Sequence, residues 1–332
     1  MNPVVYACPA CKLELSENQG GYQCPRCERV YASLLGIPCL GDEDIAPDAA
    51  ERALIERLVA MYRTATIEEM SAARLAIGAT NEERRQFYAN YHRMLRERGP
   101  AFQHMFQQRE RQQAWLAHGK QTAIDIGCGI GGGLLALARD YEQVIGLDIS
   151  LSSLIIALKV IEEAGLTNVR LVQASAHHLP FLDGTFDYAI AINVLEHIFT
   201  PEQMLNEVRK VLNVHGVFAG DSRNRFDLFF KEPHVGLRWV GFLPRRWMAR
   251  YVRWRIGVDY KATRTHLLSY RDLSRALQTV FGAHWCIALP EAAAYGASGT
   301  VGDIAEQINR AKPLRALVAR IAPSHIALAQ RV

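Results

Sequence analysis

Thr122-Ala-Ile-Asp125-Ile-Gly-Cys-Gly-Ile-Gly131, followed closely by Leu134-Leu-Ala-Leu-Ala138, reads as a buried strand, a glycine turn and a helix. No other run constrains the fold as much. Gly127, Gly129 and Gly131 have no Cβ and tolerate positive φ, so the turn can bring a nucleotide-like ligand against bare backbone. Such a turn at the end of a buried strand belongs to doubly wound α/β sheets. Asp125 adds a chemical constraint: a buried carboxylate repels a pyrophosphate and suits a ligand carrying a cationic amino group.

The same glycines also fit G-x-G-x-x-G as Gly127, Gly129 and Gly132, a weak pattern by itself that leaves a dinucleotide open. Gln143-Val-Ile-Gly-Leu-Asp148 is a second strand ending in an acid, placed to take two ribose hydroxyls from either kind of cofactor. A third and a fourth strand follow, Val169-Arg-Leu-Val-Gln173 and the run Phe186-Asp-Tyr-Ala-Ile-Ala-Ile-Asn193-Val-Leu-Glu196-His197. With these in place, residues from about 85 to 221 closely resemble the class I S-adenosylmethionine-dependent methyltransferases, in particular the group acting on small molecules and lipids.

The resemblance implies an α/β, doubly wound, Rossmann-like sheet and a set of cofactor residues. Asp125, Gly127, Cys128, Gly129 and Gly131 would hold the methionine part, Asp148 the ribose, and Ile149 would neighbour the adenine. Asn193 would stand beside the reactive sulfonium. Members of the group usually place an acid after the third strand to accept from the adenine amino group. This chain has Ala174-Ser175-Ala176, so Ser175 and Ala176 take that place with a neutral acceptor. Cys128, with no paired base nearby in sequence, fits the turn by its small size.

Methyl transfer from a sulfonium is an in-line displacement dominated by alignment, and a hydroxyl acceptor also needs a base. The candidates are His197 near the strand end, His234 or His266 in the insertion, and Glu196 as a fourth, with His234 preferred. Glu196 and His197 also fit a plain helix start.

Cys8-Pro-Ala-Cys11 and Cys24-Pro-Arg-Cys27 form two C-x2-C knuckles twelve residues apart, which places four thiolates around one tetrahedral ion. Zinc is expected, and with four protein ligands its role is structural. The segment resembles the small zinc-ribbon activator subunits that accompany tRNA, rRNA and translation-factor methyltransferases, which implies a possible docking role for a protein partner.

The expected layout is a zinc ribbon over 1–45, a helical linker and N-terminal helices over 46–118, and the cofactor-binding core over 119–221. An insertion over 222–269 and the C-terminal part of the core over 270–332 complete it. Residues 221 to 275 hold 13 Lys and Arg against 5 Asp and Glu, a net +8 in a chain whose total is only +4. Here Trp247, Tyr251, Trp254 and Val258 recur at helical spacing, with Arg246, Arg250 and Arg253 along another stripe. Three readings follow: a substrate lid lying on an anionic membrane surface, a patch meeting nucleic-acid phosphate, or aromatics packed on the core.

The fourth strand lacks the Asn/Asp-Pro-Pro-aromatic run of enzymes that methylate base amines, which places RNA behind a small-molecule or lipid-linked acceptor. A non-catalytic cofactor-binding scaffold is the alternative from another class. Seven cysteines with no apolar leader before Cys8, and no membrane-spanning run, give a cytoplasmic expectation, with peripheral membrane contact an option.

Overall fold

The computed structural model describes residues 4–41, 45–75, 82–232, 234–260, 265–290, 307–308 and 310–332; the side chains of 82–92, 94–95, 98 and 312 are outside that description. Gly78-Ala-Thr-Asn81, which the sequence marks as a break in the helical stretch, and the side chains of Phe87, Tyr88 and Tyr91, aromatics that precede the first parallel strand, lie outside the described residues. The chain divides into two compact units, one of residues 1–104, 117–190 and 210–216, the other of 105–116, 191–209 and 217–332.

In the first unit, β1 (Ser16–Asn18), β2 (Gly21–Gln23), β3 (Val30–Leu34) and β4 (Ile37–Pro38) form an antiparallel sheet in chain order. Helices α1 (Ala49–Met61) and α2 (Ile67–Leu75) follow, then α3 (Glu82–Arg111), whose last turns belong to the second unit. The parallel part alternates β5 (Thr122–Ile126), α4 (Leu134–Asp140), β6 (Gln143–Asp148), α5 (Leu151–Glu163), β7 (Val169–Gln173) and β8 (Phe186–Ala191). Its strands lie in the order β8-β5-β6-β7.

Ile124, Ile126, Val144, Ile145 and Leu147 are buried on both faces of this sheet, as parallel strands covered by helices require. Helix α5 is apolar almost all round, and α1 and α2 pack against it. Its start is fixed by Ser150, whose side chain accepts from the Ser153 N–H.

The cysteine-bearing sheet does not stand apart as a separate module. Leu40 N–H donates to the Gln173 carbonyl at 2.8 Å, and Cys39 bridges Gln173 in parallel, so the segment after β4 continues the edge at β7. Tyr6 pairs with Phe181, and Arg170 donates to the Val4 carbonyl at 2.8 Å while lying over the Tyr6 ring.

The second unit is built on three antiparallel strands in the order β10-β11-β9: β9 (Leu212–Arg223), β10 (Trp285–Ala288) and β11 (Ser324–Gln330). The opening residues of β9 lie in the first unit. Helix α6 (Pro201–Val211) leads into β9, and α8 (Tyr270–Phe281) is started by a capping box between Ser269 and Asp272. Parallel and antiparallel strands together give the seven-stranded, Rossmann-like composition expected from the sequence.

Helix α7 (Arg245–Ile256) ends on Gly257 in the left-handed conformation. Met248 and Val252 are its buried residues and pack with Val240 and Tyr260. Trp247 and Trp254 remain 54% and 79% exposed, so core packing does not account for these two aromatics. Among the described residues no helix is long and apolar enough to cross a membrane.

Candidate functional site

The glycine turn leans on the neighbouring strand: the Leu147 carbonyl accepts from the N–H groups of Gly127 at 2.7 Å and Cys128 at 3.0 Å. Gly127, Gly129 and Gly131 have φ of +74°, +53° and +89°, values that L side chains rarely adopt. A Cβ at Gly129 would meet no atom within 4 Å, so the turn borders open space. Cys128 is buried and burial pushes its thiol pKa well above the ordinary value, leaving a neutral packing residue.

Asp125 stands behind this turn, 2% exposed, with one carboxylate oxygen, Oδ1, lacking any hydrogen-bond partner. Burial, and next the charge of Asp148, push its pKa up to about 8. An unpaired buried carboxylate is costly unless a cation arrives to meet it. A Cβ on Gly133 would come within 2.4 Å of Asp125 Oδ2, so the glycine gives the carboxylate its room.

Asp148 lies at the end of β6, where Oδ2 accepts from Gly129 N–H and Oδ1 from Ser150 N–H, both at 2.8 Å. Each oxygen keeps acceptor capacity for a hydroxyl. Burial raises its pKa, while the two backbone donors and the Arg74 charge oppose that rise. Ile149 is 49% exposed beside it, an apolar surface with nothing yet laid on it. Ser175 lies just beyond β7, its hydroxyl accepting from His177 N–H at 3.2 Å, and Ala176 is buried next to it.

Glu51, from α1, accepts from Ser150 Oγ at 3.3 Å and approaches Ser152 N–H at 3.4 Å. The sequence reading missed it, as no local pattern ties a residue on α1 to a strand end about a hundred positions later. Gly133 was missed as well, although its place directly after the glycine run was a signal.

The second unit gathers Asn193, Glu196, His197 and His234 with groups the sequence reading had not singled out, Asp221 and Glu232. Asn193, in the left-handed region at φ +54°, donates its N–H to Asp221 Oδ1 at 2.7 Å. Burial and then Glu196 raise the Asp221 pKa to about 7. Glu196 is buried with Oε2 unpartnered, and burial raises its pKa too.

His234 Nδ1 lies 2.5 Å from Glu232 Oε1, and its ring meets that of His197 edge-on at 5.2 Å. Burial disfavours the imidazolium of His234, but the hydrogen bond and charge of Glu232 outweigh it and the pKa rises. Glu232 was visible in the sequence two residues before His234, but nothing there showed that the chain turns back to join them.

The four thiols of Cys8, Cys11, Cys24 and Cys27 have sulfur atoms within 4.8 Å of one another, and the sulfurs of Cys8 and Cys27 are 3.8 Å apart. Four sulfurs about 2.3 Å from a tetrahedral ion are separated by about 3.8 Å, so the donor set fits zinc. Lys12 and Glu28, each directly after the second cysteine of its knuckle, are both left-handed, at φ +56° and +57°. The two knuckles therefore repeat one backbone shape around a common centre.

Residues 124–220 match the family model described as a methyltransferase domain. A 130-residue stretch is 32% identical to the ubiquinone biosynthesis O-methyltransferase of Azorhizobium caulinodans, covering 37% of this chain and 50% of that one. A 96-residue stretch is 33% identical to a sterol 4-C-methyltransferase of Caenorhabditis elegans, covering 29% of each chain. A 97-residue stretch is 34% identical to phosphoethanolamine N-methyltransferase 2 of the same organism, covering 29% of this chain and 22% of that one. The alignments thus span half or less of these relatives' length. The structure is also similar to that of geranyl diphosphate methyltransferase in complex with SAM, at 18% identity, with a TM-score of 0.46 over 77% of this chain and 92% of the other. Residues 124–220 thus carry the sequence pattern of a methyltransferase domain.

Proposed function

We propose that this chain transfers a methyl group from S-adenosylmethionine to a small-molecule or lipid-linked acceptor by in-line displacement. The observation that carries the reading is Asp125, buried with an unpartnered oxygen behind an open glycine turn inside the matched domain. The cofactor's ammonium group answers that carboxylate, whereas a pyrophosphate does not.

When bound, S-adenosylmethionine supplies an electrophilic methyl group on a sulfonium. Asp125 holds the amino group, the open Gly127–Gly131 turn takes the rest of the methionine part, and Asp148 holds the ribose hydroxyls. Ile149 covers the adenine, with Ser175 and Ala176 as its further neighbours. Asn193 keeps the backbone after β8 in a fixed shape through Asp221.

Where the acceptor is a hydroxyl, His234 is the favoured base, held in orientation by Glu232, with His197, His266 and Glu196 as the other candidates. The relatives' names cover oxygen, nitrogen and carbon methylation, and they support the small-molecule class. Cys8, Cys11, Cys24 and Cys27 hold one structural zinc ion in this reading.

Isotope-labelled S-adenosylmethionine incubated with the protein and fractions of a cell extract tests the proposal. Formation of S-adenosylhomocysteine with label in an organic acceptor is expected. Cofactor binding with no turnover in any fraction would leave the scaffold alternative.

A further inference from the structure

Large apolar side chains at a protein surface are usually scattered singly. Within one stretch of the second unit, Phe229, Phe230, Trp239, Phe242, Trp247 and Trp254 are all exposed. Local bonds tie them into one run. The Trp239 indole N–H donates to the Leu228 carbonyl at 3.3 Å, Arg238 donates to the Phe229 carbonyl at 2.6 Å, and Phe242 rests on Phe226. Leu243 then shares a groove with Trp247, Tyr251 and Trp254.

Helix α7 divides this surface into stripes. Met248 and Val252 seat the helix on its own core, so the exposed faces are not waiting for another part of that core. At about 100° per residue, Arg246, Arg250 and Arg253 form a stripe beside the one carrying Trp247 and Trp254. Arg250 and Trp254 accordingly line the same two grooves along the helix. Among the described residues, Arg246 and Arg250 have no carboxylate within ion-pair distance, and Arg253 has only an exposed contact with Asp259 at 3.3 Å.

Guanidinium groups beside tryptophans match a layer that is anionic at its face and apolar just below it. Leu228 and Ile256 are exposed as well, and such aliphatic side chains gain nothing from stacking on bases, which favours lipid over nucleic acid. We propose that residues 226–232 and 234–256 form a docking surface for an anionic phospholipid bilayer, with the aromatic side chains entering the headgroup region and the arginines meeting lipid phosphates. The inference deepens the lipid-linked reading of the acceptor and rests on it only for its purpose, since docking needs neither cofactor nor turnover.

The test uses the full-length protein, with vesicles of phosphatidylcholine alone or mixed with phosphatidylglycerol, sedimented at low and high salt. Binding is expected to the mixed vesicles and to weaken with salt. The combined change Arg246→Gln, Arg250→Gln, Arg253→Gln should lower partitioning about 100-fold, since each arginine near an anionic surface contributes about fivefold. Brominated phospholipid should quench wild-type tryptophan emission, and Trp247→Ser with Trp254→Ser should remove most of that quenching.

Equal binding to neutral and anionic vesicles, no quenching of the wild type, or retention of structured RNA at lower protein concentration than vesicles would each overturn the proposal. Calorimetric binding of S-adenosylmethionine by the same variants reports folding separately. Its failure in the wild type would remove the methyl-transfer reading while leaving vesicle binding to stand or fall by itself.

Discussion

Binding of S-adenosylmethionine should be coupled to loss of a proton from Asp125. In the free protein burial raises this carboxyl to about 8, so at about pH 7 roughly nine-tenths of the molecules carry it neutral. An ammonium group placed against the unpartnered oxygen favours the ionised form, and the proton must leave. The cofactor's own amino group, with an ordinary value of about 7.7–8.0, takes up about 0.1 proton at that pH, which leaves a net release of about 0.8.

Affinity should therefore rise nearly tenfold per pH unit from about pH 6 to 7, level off near 8, and fall again as the ligand amine loses its charge. Calorimetry in buffers of different ionisation enthalpy reads the released proton directly. Asp125→Asn should bind more weakly and release almost none.

The same shift has a consequence for stability, with a definite sign. A carboxyl whose folded pKa lies above its unfolded value lowers stability increasingly as pH rises past about 4, and the loss is complete above about 8. The ligand-free Asn variant should thus melt above the wild type, with a gap that widens over that range. A binding heat independent of buffer, together with affinity flat from about pH 6 to 8, would refute the reasoning.

Gly133→Ala, whose Cβ would lie 2.4 Å from Asp125 Oδ2, should displace that carboxylate and weaken cofactor binding more than about tenfold by calorimetry. Gly129→Ala meets no neighbour but must hold a left-handed φ, so thermal melting should show a cost of about 1–2 kcal/mol while the new methyl group occupies ligand space. Metal analysis should find one zinc per chain in the wild type and little in Cys24→Ser. Because Leu40 is bonded to Gln173, two residues before the proposed adenine neighbour Ser175, stripping the metal should also reduce cofactor affinity; unchanged affinity would show that the β7 edge stands without the cysteine-bearing sheet. Glu232→Gln should lower the titration midpoint of His234 seen by NMR, since the carboxylate is what holds it up.

The parts of this molecule set by local chemistry could be read from its sequence. Gln143–Asp148 and Val169–Gln173 are short runs rich in Val, Ile and Leu and fold as strands over those residues. The cysteine spacing likewise placed four thiols together. What depended on contacts distant in sequence could not be read that way. Glu51 reaches the Ser150 turn from α1, and the cysteine-bearing sheet joins β7 through Cys39 and Leu40 rather than standing as its own module. The helical period of residues 245–256 was clear, but which stripe faces inward was not. Met248 and Val252 are the apolar side chains that meet Val240 and Tyr260, and the larger tryptophans stay outside.

The central claim is that Asp125, the glycine turn and Asp148 form a site for S-adenosylmethionine. Titrating the purified protein with that cofactor, with NAD, and repeating both on Asp148→Ala tests it most directly. Binding of S-adenosylmethionine is expected, with no comparable binding of NAD, and affinity about 10- to 100-fold weaker in the variant, from the loss of two charge-assisted hydrogen bonds to ribose. Tighter binding of NAD, or equal affinity for S-adenosylmethionine in wild type and variant, would contradict it.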